Sequence, residues 1–370
     1  MALGWFLFLS LLSGICGASA AKADSWNPGA MQVLLHSNLE YDLSQLPLEG
    51  QRSISIQRDL WPAALDGLNW RPDPNELSPA EKYALLHGLD VTAFTAAVSR
   101  VSGVLSSSRT CDSDQQCDAQ LDEICARRRN QSAQEPGRCV STRKNLQKGF
   151  AAWSIKDPAP LQNVERQSPE GKTIVFKPRD IAALQSLLWD LEAQVQALTP
   201  MHCHWKTGKP QNSCRDLNPG TYHILLTNYL GLQGKSFVEN RTIGDTVWSL
   251  PVSGYRILKM EPLLETELLL YKKQNVRQSS SMAVEVEVAY GDYTVRQSYI
   301  LDLDAKGRIT GGKWTHESQG DQESEFPDFI WTPGTPKKSK FVRGLEYGNI
   351  RDLLNDALGD DSAGQVENFN

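Results

Sequence analysis

Two side chains in this sequence could run proton-transfer chemistry together. His223 stands in Asn218-Pro219-Gly220-Thr221-Tyr222-His223-Ile224-Leu225-Leu226-Thr227-Asn228, where a sharply turning Asn-Pro-Gly leads into an apolar run. The run reads as a buried strand with the imidazole near its start, a place suited to a working general base. Further on, Ser236-Phe237-Val238-Glu239-Asn240 reads as a second short strand ending in an amide that can accept a ring N–H and fix the tautomer. A lone histidine heading an apolar run is more often a hydrogen-bonded structural residue, so the pair needs a nucleophile before it means catalysis.

The cysteines offer other chemistry. His202-Cys203-His204 followed by Cys214 has zinc's ligand types. Neighbouring side chains on an extended loop point apart, however, and no second cysteine pair completes a tetrahedron, so a Cys203 to Cys214 disulfide is the first reading. Cys111, Cys117, Cys125 and Cys139 form a compact insert over 111–139. Its acidic start, Asp112-Ser113-Asp114, lacks the Gly and terminal Glu of a dedicated calcium loop and reads as a disulfide-pinned surface loop whose pairing the sequence leaves open.

Compartment and class follow from the rest of the chain. Trp5 to Ala20 is an apolar run ending in Ala18-Ser19-Ala20, the pattern of a cleaved export signal that would take Cys16 with it. The remaining cysteines are even in number, and in a secreted or periplasmic protein that favours disulfides. No later stretch reaches the roughly 20 apolar residues of a membrane span. With a net charge of -6, the chain lacks the extended basic surface that nucleic-acid phosphates require. Its 370 residues suffice for a sizeable core.

The elements that would carry these groups are visible in patterning. Ser78-Pro79-Ala80-Glu81 is a helix start, and Phe176-Lys177-Pro178 opens a longer helix whose Ile181, Leu184, Leu187, Leu188, Leu191, Val195 and Leu198 form one buried face, with Trp189 on its flank. Val284, Val286, Val288 and Tyr290 alternate as a half-buried strand, turned at Gly291-Asp292 into Tyr293 to Val295. Tyr299 to Leu303 and Arg308 to Trp314 flank a second turn, and Ile350, Leu353, Leu354 and Leu358 mark a last short helix.

Several multi-residue stretches, in one order from Trp61 to Trp331, resemble the calcium-dependent transglutaminase elicitors secreted by some plant pathogens and their bacterial relatives. They are Trp61-Pro62, Asp66-Gly67-Leu68-Asn69, Leu77-Ser78-Pro79-Ala80-Glu81-Lys82-Tyr83, Asp245 to Ile257, Gly311-Gly312-Lys313-Trp314 and Pro327-Asp328-Phe329-Ile330-Trp331. After Gly137-Arg138-Cys139, the family's Cys-His-Gly-Trp-Ala-Pro-Ala-Ser-Ile runs over Gln147 to Ile155, with Gly149, Ala151, Ser154, Ile155, Pro158 and Pro160 fixing the register. The nucleophilic cysteine of the family thus falls on Gln147. The family's Asn-Pro-Gly-Thr-Phe-His places its general base on His223, and Asn240 stands where relatives carry the aspartate that orients the base.

This resemblance implies an α+β fold: a papain-like transglutaminase core with a four-cysteine insert and a mostly antiparallel C-terminal sheet. The implied segments are a signal peptide over 1–20, an N-terminal arm over 21–59, the core over 60–257, a β-rich part over 258–345, and a helix with an acidic tail over 346–370. The implied activity is protein-glutamine gamma-glutamyltransfer, an acyl transfer to lysine amines, with calcium as the implied cofactor and Asp302 and Asp304 as candidate ligands. Partners would be proteins bearing Gln or Lys, met through a surface segment containing Val247, Trp248, Pro251, Gly254 and Tyr255. An amide is no substitute for a thiolate, so Gln147 points to a family member that has lost the chemistry. The alternatives are an active enzyme with a displaced nucleophile, Ser154 being one candidate, or a structural envelope protein.

Overall fold

The computed structural model describes residues 38–55, 61–129, 131–132, 134–199, 217–243, 246–263, 280–315 and 326–359. The leader, the acidic tail after Gly359, and the cluster of His202, Cys203, His204 and Cys214 lie outside the described residues. The fold is α+β, with antiparallel sheets and a disulfide-bearing insert.

After strand β1 (Glu49–Gln51) come helices α1 (Pro79–Leu86) and α2 (Val91–Ser102). The Ser78 hydroxyl accepts the Glu81 amide and the Glu81 carboxylate accepts the Ser78 amide, so α1 starts in the reciprocal cap its sequence predicts. The insert folds as β2 (Thr110–Cys111), β3 (Glu123–Ala126) and β4 (Gly137–Ser141), a three-stranded sheet of order β2-β4-β3. Its disulfides are Cys111–Cys125 and Cys117–Cys139, which settles the pairing.

Helix α3 (Gln147–Ser154), hairpin β5 (Val164–Gln167) and β6 (Thr173–Phe176), helix α4 (Pro178–Glu192) and strand β7 (Gln194–Ala197) follow. Asp180 caps α4 by accepting the Lys177 amide at 2.9 Å, and it also pairs with buried Lys82 at 2.5 Å. The predicted stripe of α4 is buried at Ile181, Leu184, Leu187 and Leu188, but the helix stops at Glu192. Val195 lies exposed in β7 and Leu198 beyond it, because residues 194–197 hydrogen-bond to a later strand instead of continuing the helix. Trp189, expected on the flank, is fully buried.

Helix α5 (Pro219–Leu225) continues into a π-helical stretch over Leu226–Leu232. This corrects the strand expected there. Asn218 accepts the Gly220 amide at 2.9 Å and Pro219 takes the first helical position, a start that the apolar run concealed. The remaining elements are β8 (Phe237–Ile243), β9 (Thr246–Val252), β10 (Gly254–Pro262), β11 (Ser280–Tyr290), β12 (Tyr293–Leu303), β13 (Ile309–Trp314), β14 (Phe329–Gly334) and helix α6 (Tyr347–Leu358).

Two larger sheets organise these strands, one of order β1-β10-β11-β12-β13 and one of order β7-β14-β8-β9. Alternation in β11 is as predicted, with Val284, Val286, Val288 and Tyr290 buried while Glu285 and Glu287 face Arg296 on the outer side. The segment boundary after Ile257 falls inside β10. Strands β9 and β10 are one run of chain that changes sheets at Ser253. That corner is pinned: the Ser253 amide donates to Ala289 at 2.8 Å, its carbonyl accepts from Arg52 at 2.8 Å, and its hydroxyl accepts from the Gly291 amide at 2.9 Å.

One core lies between α5 and the two sheets, and a second joins α1, α2, α4 and α6. A third seats α3 and Trp189 against Val238, Phe329 and Trp331 of the four-stranded sheet.

Candidate functional site

Strand β8 decides which of the expected site residues can meet. Successive side chains on a strand point to opposite faces. Val238 packs with Ala151, Ala152, Trp153 and Trp331, on the α3 side. Phe237 packs with Tyr222, Leu225 and Leu226, on the α5 side. Asn240 therefore shares the α3 side, where its Oδ1 accepts from Trp331 Nε1 at 2.9 Å and from Ser249 Oγ at 3.0 Å. Glu239 faces α5, where its carboxylate accepts from the Tyr222 hydroxyl at 3.0 Å.

His223 belongs to the α5 side and turns to the other sheet. Its Nδ1 lies 2.8 Å from the hydroxyl of Tyr299 on β12, and the ring is only 1% exposed. Asn240 does not orient this imidazole, contrary to the role the resemblance implies, because the sheet itself stands between them. Burial pushes His223 down to about 3, so it is a neutral ring at any working pH. The strand expected at 221–228 would have brought the ring to a sheet edge; the helix instead seals it between layers.

A pH dependence follows. The unfolded chain takes up a proton at His223 near the ordinary 6.5 while the folded chain refuses it down to about 3, so stability present above 6.5 is lost as pH falls through that window. His223→Gln keeps a hydrogen-bonding group for Tyr299 without the titration. Urea unfolding at pH 7 and pH 4 should show the wild-type chain losing about 3 kcal/mol more than the variant; equal losses would refute a sealed neutral ring.

Gln147 begins α3, where a helix N-terminus offers unpaired amides and a positive dipole end. Two of those donors are already engaged. The Gln147 amide donates to Asn145 Oδ1 at 2.8 Å, and the Gly149 amide donates to the Asp190 carboxylate of α4. Burial raises Asp190, opposed by Lys148 and by that amide. Lys148 Nζ also reaches the Asp190 carbonyl at 3.3 Å. Ser154, at the other end of α3, is fully buried and donates to the Ala151 carbonyl at 3.1 Å.

Every described cysteine is in a disulfide, so none supplies a thiolate. The close grouping of Cys111, Cys117 and Cys139 is the only metal-type cluster among the described residues, and those sulfurs are bonded to sulfur. Calcium takes roughly six to eight oxygen ligands, backbone carbonyls among them. Asp304 is a turn cap, accepting the Lys306 and Arg308 amides at 2.8 and 3.0 Å. Asp302 is buried near Ser281, and Asp114 accepts the Cys125 amide at 2.7 Å.

The expected surface segment is a surface only at one end. Val247 is 41% exposed and Trp248 half-buried, but Pro251, Gly254 and Tyr255 are buried. The reason is the change of sheet: past Ser253 the chain becomes an interior strand between β1 and β11, and the Tyr255 hydroxyl donates to the Pro47 carbonyl at 2.8 Å.

Sequence reasoning missed the charged partners of β8. Glu239 is wholly buried, joined to Arg241 and to the Tyr222 and Tyr290 hydroxyls, each 3.0 Å away. The available signal was two opposite charges one residue either side of Asn240, directly after the apolar pair Phe237-Val238.

A short helix beginning at Gln147 thus lies on an antiparallel sheet beside a disulfide-pinned insert. The sequence profile of the transglutaminase elicitor family matches residues 30–275 and 272–359, and the chain belongs to that family. The crystal structure of the GP42 transglutaminase from Phytophthora sojae superposes with a TM-score of 0.72 at 26% sequence identity, covering 88% of this chain and 96% of that one. No curated protein matches. Among the described residues no helix is long and apolar enough to cross a membrane.

Proposed function

We propose that this chain keeps the elicitor-transglutaminase fold as an exported binding protein and does not transfer acyl groups. The observation that carries this reading is Gln147 at the head of α3, in the register of the family's nucleophile. A carboxamide has no electron pair of thiolate reactivity, and the positive helix end that would lower a thiol's pKa is complemented here by Asp190. His223, sealed beside Tyr299, supplies no base to that helix. The disulfides favour an oxidising compartment. The partner under this reading is a protein segment bearing Gln or Lys, bound on the α3 side of the four-stranded sheet near Val247 and Trp248 of edge strand β9.

The test is incorporation of a labelled primary amine into casein, with and without calcium. The wild-type chain should incorporate no more than a heat-inactivated control, and enzyme-dependent turnover would overturn the proposal. Gln147→Cys sharpens it. The new thiol sits at a helix end apart from His223, which is sealed against Tyr299, so alkylation should exceed that of a free cysteine by about tenfold at most, and amine transfer should remain absent. Transfer by that variant would mean that a base reaches α3 after all.

A further inference from the structure

The turn between β14 and α6 gathers positive charge on an otherwise acidic chain. Residues 337–343 read Lys-Lys-Ser-Lys-Phe-Val-Arg, four cations in a chain whose net charge is -6. Lys337, Lys338, Lys340 and Arg343 are all exposed, and among the described residues none of them is in an ion pair. Two carboxylates border the turn. Glu192, at the end of α4, accepts the Lys340 amide at 2.5 Å, and Glu346 is exposed just before α6. The four cations outnumber them, so the surface is net positive.

Phe341 stands among these charges with its ring in water. At 62% exposed it is the most exposed large apolar side chain among the described residues. A lone apolar side chain on a surface is ordinary, but this one is held in place. Ser339 Oγ accepts the Phe341 and Val342 amides at 3.1 and 3.0 Å, and the Ser339 amide donates to the Leu345 carbonyl at 2.8 Å. The Tyr347 amide donates to the Lys337 carbonyl at 2.7 Å, and the Tyr83 hydroxyl to the Gly344 carbonyl at 2.8 Å. Val342 and Leu345 are wholly buried in the core of α1, α2, α4 and α6. The backbone is thus fixed with Val342 turned into the protein and its neighbour Phe341 turned out of it.

That exposure narrows the occupant. A peptide strand or a sugar chain is held by walls, and a ring nearly two-thirds in water stands on a tip rather than in a groove. A soluble polyanion answers the lysines and leaves the ring wet. A bilayer with anionic headgroups answers both, because its negative charge lies at the level of the cations and apolar matter begins directly below. We infer that the turn from Lys337 to Arg343 docks on an anionic lipid surface, with Phe341 entering the interface and Lys337, Lys338, Lys340 and Arg343 holding headgroups. The contact is peripheral and reversible, since one ring and one basic cluster fall far short of a span.

The experiment is co-sedimentation of the full chain with vesicles of equal parts phosphatidylcholine and phosphatidylserine, and with vesicles of phosphatidylcholine alone. The mixed vesicles should bind at least about tenfold better than the neutral ones and release the chain as salt rises. Lys338→Gln/Lys340→Gln should weaken that binding at least about tenfold, and Phe341→Ala about fivefold. All three side chains are exposed, and thermal melts matching wild type verify that the variants fold. Polyglutamate or polygalacturonate, matched to the vesicles in negative charge, should leave most of the chain on the lipid. Equal binding to neutral vesicles removes the headgroup charge, an unaffected Phe341→Ala removes the inserted ring, and displacement by either polyanion makes this a site for a soluble acidic partner. Absent binding, or an unaffected lysine variant, removes the site; each of these results overturns the proposal.

Discussion

Glu239→Ala is expected to destabilise the chain by about 3–5 kcal/mol, the loss typical of breaking a buried ion pair from one side. Glu239 is wholly buried and Arg241 nearly so, and both lie on the face of β8 that packs against α5. The carboxylate binds Arg241 and accepts the hydroxyls of Tyr222 and Tyr290, and the guanidinium lies 5.4 Å from the Tyr290 ring centroid. Truncation leaves a guanidinium that cannot shed its proton without its nearest countercharge, and leaves two phenols without their acceptor. Denaturant unfolding should report the loss. Glu239→Gln, which keeps acceptor oxygen but not charge, should fall between wild type and alanine. A double replacement, Glu239→Leu with Arg241→Met, should recover much of the stability, since the pair's desolvation cost disappears with it. A loss under about 1 kcal/mol for Glu239→Ala would show that water reaches this network.

Gly149→Ala is expected to cost about 3 kcal/mol, at the upper end for overpacking. Helix α3 crosses α4 here so closely that an added Cβ would collide with the Ser186 carbonyl oxygen and lie 2.7 Å from the Asp190 nitrogen and 2.8 Å from its Cβ. The first two of those neighbours are backbone atoms and cannot swing aside. The crossing is locked from the other direction by Trp153, whose indole nitrogen donates to Ser186 Oγ at 2.9 Å. The substitution must therefore lift the first turn of α3 and loosen the bond from Gly149 to Asp190. Thermal melts of the purified variant check this; a gain in stability of about 1 kcal/mol, which helix propensity alone would give, would refute the overpacking.

Much of this fold is legible in short stretches of sequence whose chemistry is local. Ser78 with Glu81, the alternation of Val284 to Tyr290 and the glycine turn at 291 each contain their own explanation in adjacent residues. The failures have a common cause, which is that burial on every side erases periodicity. Residues 219–232 are almost all enclosed, so an apolar run read equally as a strand, and the informative residues were Asn218 and Pro219 at its head. Val195 and Leu198 continued a helical spacing by chance, and a partner strand far along the chain claimed them. The site suffered most. Motif register placed Gln147, His223 and Asn240 along the sequence, but which face of β8 each would see depends on the parity of one strand, and that is settled only when both helices have docked.

The corner at Ser253 has a consequence for how the molecule opens. Since one uninterrupted run of backbone supplies an edge strand to the four-stranded sheet and an interior strand to the five-stranded one, neither can exchange its amide protons by separating from the other. Protection factors along 247–252 and 254–260 should rise and fall as one cooperative block, while the cystine-braced insert, which shares no strand with either, exchanges on its own clock.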